Sequence, residues 1–161
     1  MYVFPHNPLW ALEFEQEKNA IMAVYDAEIK LHHIGSTAVP GLLAKDCIDI
    51  LGVVPKLSLV KQKAHKLAAL GFENRGPYGI PGRAYFSKPV RKSHLHIFES
   101  GHPNIEKHMN FVQIMRNNDN LIVELNAFKT ELQNKFPKQQ ERYQQEKAIF
   151  YQQFFPSTHL L

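Results

Sequence analysis

The sequence predicts one α/β domain of the α+β kind, a mixed β-sheet packed against helices with further helices at its C-terminal end. Three observations predict it. The run Cys47-Ile48-Asp49-Ile50-Leu51-Gly52-Val53-Val54 is almost continuously apolar, the pattern of a central strand covered on both faces. Residues 83–88 and 93–98 read as two antiparallel strands joined by Pro89-Val90-Arg91-Lys92. Beyond Gly101, apolar residues recur at helical intervals, marking helices with one buried face. A chain of 161 residues has core enough for one domain and too little for two, so the domain is expected to span residues 1–161.

Taken in order, the first helix is expected to start near Pro8, with Asn7 as N-cap and Pro8 in the first helical position. Trp10, Phe14, Glu17, Ile21 and Val24 then alternate at spacings of four and three, a stripe that is apolar except for Glu17. Trp10 belongs to the core on this reading. A short strand over Leu31 to Ile34 stops at Gly35-Ser36, and the loop Thr37-Ala38-Val39-Pro40-Gly41 leads toward the central strand, which Pro55 ends. Val60, Ala64, Leu67 and Ala68 predict a helix from about Leu57 to Leu70, closed by Gly71 in the left-handed position. The stretch from Phe72 to Arg83 is rich in glycine and proline, so turns around strand fragments are expected there. Ile105, Met109, Val112 and Met115 mark one late helix, and Leu121, Leu125, Phe128 and Leu132 a second. Asn118-Asp119 supplies the turn and cap between them, and a polar helix from about Lys138 to Phe154 follows.

With 44% hydrophobic and 21% charged residues, the composition is that of an ordinary globular chain and excludes wholesale disorder. Apolar stretches are broken well before bilayer length, so no membrane contact is expected. The segment Met1 to His6 lacks a basic region followed by an apolar run, and no secretory signal is expected. The single cysteine, Cys47, cannot form an internal disulfide, which agrees with a reducing cytoplasm. Its place in an apolar strand makes it a core residue rather than a nucleophile. A formal net charge of +4 permits an anionic partner. The lysines are spread over helical segments that also carry Glu and Gln, as a solvated helix face would be, and no motif marks dedicated nucleic-acid binding.

The functional signal lies between His32 and Ile50. A strand ends in Gly35-Ser36, a compact loop follows, and a second strand carries one acid among apolar neighbours. Gly35 lets the backbone approach a ligand closely, and Ser36 offers a hydroxyl and an amide to a phosphate. A carboxylate inside an apolar strand is costly unless it is paired, hydrogen-bonded or bound to metal, which makes Asp49 the first candidate for chemistry. His94 and His96, two apart on a strand, share a face and form a second set of donors suited to Zn, Ni, Cu or Fe. They could equally hydrogen-bond to neighbours or line a polar groove. Arg83, after Pro81-Gly82, could grip a phosphate or carboxylate, or be a surface arginine beyond a turn.

The segment resembles the nucleotidyltransferase superfamily signature, in which an apolar-Gly-Ser element precedes a strand bearing metal-binding carboxylates. More closely, the chain is similar to the GrpB-like family. The resemblance is carried by His33-Ile34-Gly35-Ser36-Thr37-Ala38-Val39-Pro40-Gly41-Leu42, by Ala44-Lys45 and by Ile48-Asp49-Ile50. It continues through Gly82-Arg83, Ser93-His94-Leu95-His96-Ile97-Phe98, Gly101-His102-Pro103 and the region of Tyr143, Lys147 and Phe150, so that it runs from about Phe4 to Phe154. The resemblance implies a nucleotidyltransferase fold, Mg or another divalent cation on Asp49, and phosphate contacts from Gly35, Ser36, Lys45 and Arg83. GrpB-like domains also occur fused to dephospho-coenzyme A kinases, implying a role near nucleotide or coenzyme metabolism.

Two departures weaken the catalytic implication. Superfamily members place two carboxylates two residues apart, on one strand face, to hold two metals. Here the second position is Leu51, while Asp46 stands three residues before Asp49, at a place where a proline is expected in the family. Phe111-Val112-Gln113-Ile114-Met115-Arg116 stands where family members tend to carry Phe-Arg-Asp before the last arginine. The expected function is therefore binding of a nucleotide or other phosphate-bearing small molecule in a groove around Gly35-Ser36, Asp49 and His94/His96. Metal-dependent nucleotidyl transfer, with Asp49 catalytic, is the first alternative, and a protein-interaction module with a protein partner is the second.

Overall fold

The structure, a computed structural model, describes residues 2–90 and 92–154. Helix α1 (Leu9–Tyr25) starts where Asn7 accepts the Leu9 amide at 3.0 Å, satisfying one of the donors a helix start leaves open. Its stripe is buried as expected from Trp10 to Ile21, with Tyr25 rather than the half-buried Val24 at its end, and Glu17 lies within it because Lys88 reaches its carboxylate at 2.9 Å. Strands β1 (Lys30–Ile34) and β2 (Ile48–Val54) pair antiparallel. A single 3-10 turn, Leu57–Leu59, precedes α2 (Val60–Ala68), so the helix is shorter than its periodicity predicted, and Gly71 beyond it adopts φ 95°. The fragment β3 (Glu73–Asn74) adds to β4 (Arg83–Lys88), which forms an antiparallel pair with β5 (Ser93–Glu99). Three helices complete the described chain: α3 (Pro103–Arg116), α4 (Asp119–Lys135) and α5 (Gln140–Phe154). Asn118 caps α4 by accepting the Leu121 amide at 3.1 Å.

The five strands form one mixed sheet in the order β1-β2-β5-β4-β3, in which β2 and β5 are parallel neighbours. Successive side chains of a strand face opposite ways, and here each face has its own cover. Ile48, Ile50 and Val54 of β2 join Leu95 and Ile97 of β5 against α1 and α2, with Trp10, Phe14, Ile21 and Leu67 filling the layer. Leu51 and Phe98 turn to the other face, against Phe111, Met115 and Leu125 of α3 and α4 and Tyr151 of α5. With both faces covered, β2 reads as an apolar run in which Asp49 stands out. Among the described residues no helix is long and apolar enough to cross a membrane.

Candidate functional site

Strand register assembles the site. Asp49 lies opposite Ile34 on β1 and beside His94 on β5, while His96 is opposite Tyr85 on β4. Asp49, His94, His96 and Tyr85 therefore share the face that looks toward α3–α5. The Asp49 Oδ1 atom lies 3.3 Å from His94 Nδ1 and 3.0 Å from His96 Nε2. These residues are the group of three potential metal ligands found among the described residues, with their donor atoms within 4.8 Å of one another.

Burial alone pushes the Asp49 carboxyl up, but hydrogen bonds from His94 and His96 more than offset it and hold it well below the usual carboxylate range. Burial pushes His96 down, toward the neutral form. Arg83 fixes the tautomer of that neutral ring. Its Nη1 donates to His96 Nδ1 at 3.3 Å, so the imidazole proton sits on Nε2 and is directed at Asp49. With its Nε2 lone pair replaced by N–H, His96 orients the carboxylate; Asp49 is left open to a cation, and His94 joins it in the tautomer that carries its proton on Nε2 and gives up the bond from Nδ1 to Asp49.

Gly35 follows β1 with φ 74°, in the left-handed region, and a Cβ there would stand 3.0 Å from Asp49 Oδ2. The glycine thus serves two needs at once, a backbone conformation other residues resist and close approach of a carboxylate. Ser36 opens a 3-10 turn, Ser36–Ala38. Its Oγ accepts from Lys129 Nζ at 2.9 Å and hydrogen-bonds with the Tyr151 hydroxyl. A cavity spreads over these residues. Gly35, Ser36, Asp49 and His94 line it, along with Lys45, Lys129 and Lys147. Lys45, Tyr85 and His94 also border a shallower groove that reaches Tyr78 and Arg75.

Arg83, one of the expected candidates, plays another part. Arg83 is neither a surface residue nor free to grip a ligand. It is 3% exposed, and its Nε and Nη2 donate to the Pro77 and Tyr78 carbonyls at 3.1 and 2.8 Å. Asp46 lies in the loop before β2, on the α1 side, where its Oδ1 accepts from the Trp10 indole at 2.8 Å. Leu51, at the superfamily's second carboxylate position, is fully buried in the α3–α4 layer. His33 stacks on Phe14 of α1 at 4.9 Å and bonds to Thr37, away from the Asp49 cluster. The Cys47 thiol is buried and its pKa is pushed up to about 12 by burial, with Asp49 adding to the shift, which leaves it a poor nucleophile.

Residues of the C-terminal helices were missed as site components, because lysines among Glu and Gln were expected on solvated faces. Lys129 is 2% and Lys147 8% exposed, both turned toward the cavity. His108 of α3 also lines it, fully enclosed, with Nε2 lacking a partner among the described residues. The spacing does carry a signal. Lys129 is four residues after Leu125 and three before Leu132; Lys147 is four after Tyr143 and three before Phe150. Both therefore fall on the buried stripe of their helix.

A mixed sheet covered by helices, with a Gly-Ser turn beside a strand carboxylate, defines a nucleotidyltransferase-like fold. Residues 1–156 match the family described as GrpB protein, and the chain belongs to that family. The crystal structure of GrpB from Enterococcus faecalis superposes with a TM-score of 0.84 at 30% identity, over 89% of this chain and 90% of that one. The Cid1 poly(U) polymerase with bound MgGTP superposes at TM-score 0.52 and 12% identity, over 74% of this chain and 41% of that one, a likeness of fold alone. YqkA of Bacillus subtilis is 37% identical over 145 residues, 88% of this chain and 42% of YqkA. The glutamate-rich protein GrpB of Alkalihalophilus pseudofirmus is 28% identical over 153 residues, 90% of this chain and 88% of that protein. This chain thus spans less than half of YqkA, and 59% of a Streptomyces coelicolor relative that is 31% identical to it.

Proposed function

We propose that this protein binds a nucleotide, or another small molecule bearing phosphate, in the cavity over Gly35, Ser36 and Asp49, together with one divalent cation. The observation that carries this reading is the meeting of the Asp49–His94 donor pair with Lys45, Lys129 and Lys147 around one cavity. A cation on Asp49 and His94 would draw phosphate oxygens into its shell, and the lysines would balance the remaining negative charge. The mixed oxygen and nitrogen donors suit Mn, Fe, Co or Zn better than Mg, which favours an all-oxygen shell. When bound, the cation would act as a Lewis acid on phosphate oxygen. His96 keeps the carboxylate oriented through its Nε2–H, and Arg83 keeps His96 in that tautomer.

Two-metal nucleotidyl transfer does not fit this donor set. The second metal of that mechanism needs further carboxylates on the same face, and Leu51 and Asp46 supply none. Binding without that chemistry is the function inferred, in the cytoplasm, where Cys47 stays a free thiol. The test is a thermal-shift titration with ATP or GTP, each with Mn or Mg, on wild type, Asp49→Asn and His94→Ala. A nucleotide shift that depends on the metal and is lost in both variants is the expected result. Equal shifts in all three proteins, or no shift with any pair, would sink the reading.

A further inference from the structure

We propose that the inner end of this cavity is a second anion subsite, formed by Lys129 and Lys147, that takes the terminal phosphates of a di- or triphosphate group. The proposal rests on the phosphate-binding reading above and names the ligand class more narrowly. Two ammonium groups are buried side by side on α4 and α5, an arrangement that is costly unless something negative offsets it. Within the described chain only Asp49 acts against it, at a distance and on Lys147 alone, and burial outweighs it. Among the described residues no carboxylate lies within ion-pair distance of Lys45, Lys129 or Lys147. Lys129 Nζ reaches only neutral oxygens, Ser36 Oγ at 2.9 Å and the Leu43 carbonyl at 2.6 Å. Lys147 has no hydrogen-bond acceptor among the described residues, and its Nζ lies over the faces of Tyr143 and Tyr151, 6.0 and 5.7 Å from the ring centres.

A second kind of observation points to the same ligand. The Tyr143 hydroxyl is fully buried, belongs to a residue that lines the cavity and has no partner among the described residues. It is a neutral donor beside two cations, the combination that phosphate oxygens accept. Burial also lowers both lysines, Lys147 to about 8 with repulsion from Lys45 adding to it, and Lys129 well below the usual lysine value with repulsion from Lys147 and Lys45. A bound polyanion would reverse that shift. Asp49 and His94 line the same cavity, so a phosphate chain held at the lysines can also meet a metal there.

The experiment is isothermal titration calorimetry of the whole chain in EDTA, at matched ionic strength, with orthophosphate, pyrophosphate, tripolyphosphate and ATP. Tripolyphosphate is expected to bind more tightly than orthophosphate. Lys147→Met is expected to weaken tripolyphosphate by about ten- to a hundredfold, the loss of one charge-assisted hydrogen bond. Lys61→Met, at an exposed position on α2, removes the same net charge and is expected to bind like wild type. ATP tighter than tripolyphosphate identifies a nucleotide as the source of the phosphates; equal affinities identify free polyphosphate; both uphold the subsite. Tripolyphosphate binding no better than orthophosphate, or equal losses in Lys147→Met and Lys61→Met, would overturn it. Because these titrations exclude metal, their failure is distinct from failure of the metal-dependent shift at Asp49.

Discussion

Replacing Lys147 with methionine preserves the side chain's length and removes its charge, which makes it a direct measure of what that charge costs the fold. Burial foremost, then repulsion from Lys45, holds the ammonium at a pKa of about 8 against 10.5 for an ordinary lysine, with Asp49 opposing the shift. A displacement of this size corresponds to about 3 kcal/mol at neutral pH. The folded pKa is the lower one, so the unfolded chain holds more protons between pH 8 and 10.5, and the contribution of this group to stability rises with pH across that window. Lys147→Met should therefore exceed wild type by about 3 kcal/mol near pH 7, and by only about 1 kcal/mol near pH 9.5. The groups facing Lys147 do not oppose this trend. Lys129, lowered in part by Lys147, is relieved in the variant and adds to its lead in the same direction, and burial raises the Tyr143 and Tyr151 hydroxyls above the window in both proteins. Urea unfolding followed by the buried Trp10 indole, at both pH values without ligand, gives the two differences. A variant less stable than wild type at neutral pH, or a lead that does not change with pH, would refute the electrostatic account.

Two further outcomes are expected. Hydrogen bonds hold the Asp49 carboxyl well below the ordinary aspartate value of 3.8, so its contribution is present above that pH and lost as pH falls below it; acid unfolding of Asp49→Asn should show a shallower decline there than wild type. Gly35→Ala places a Cβ 3.0 Å from Asp49 Oδ2 at a φ of 74°, and a loss of about 1–3 kcal/mol in thermal or urea unfolding, together with weakened metal binding, is expected; unchanged stability would mean that the close approach is unimportant.

Periodicity and turn chemistry made most of the fold legible. The stripe from Trp10 to Ile21, the apolar run of β2 and the paired strands around residues 89–92 all follow from how side chains alternate on regular elements. Where the helix before Gly71 came out shorter, Leu57–Leu59 form a 3-10 turn, a difference of winding that apolar spacing does not encode. In the site, Asp49 was visible because an acid in an apolar strand stands out, and the two histidines because their spacing places them on one face. The parallel pairing that sets His94 beside Asp49 was not visible, since register between distant strands depends on the whole packed sheet. Arg83 was misread because nothing local reveals that it turns inward to hold the Pro77 and Tyr78 carbonyls. The lysines were misread for a different reason. Charge overrode position, and the stripe spacing of Lys129 and Lys147 carried less weight than their residue type.

The walls of the cavity come from Val3 near one end of the described chain and from Tyr151 near the other, with residues of β1, β2, β4, β5 and three helices among them. Loop-closure entropy makes contacts over such separations late events in folding. During synthesis the strands and α1 can associate before α5 has left the ribosome, but the cavity has no inner wall until then. A ligand held there would tie the segment around Val3 to α5, so its binding should slow amide exchange in both together rather than around Gly35 alone.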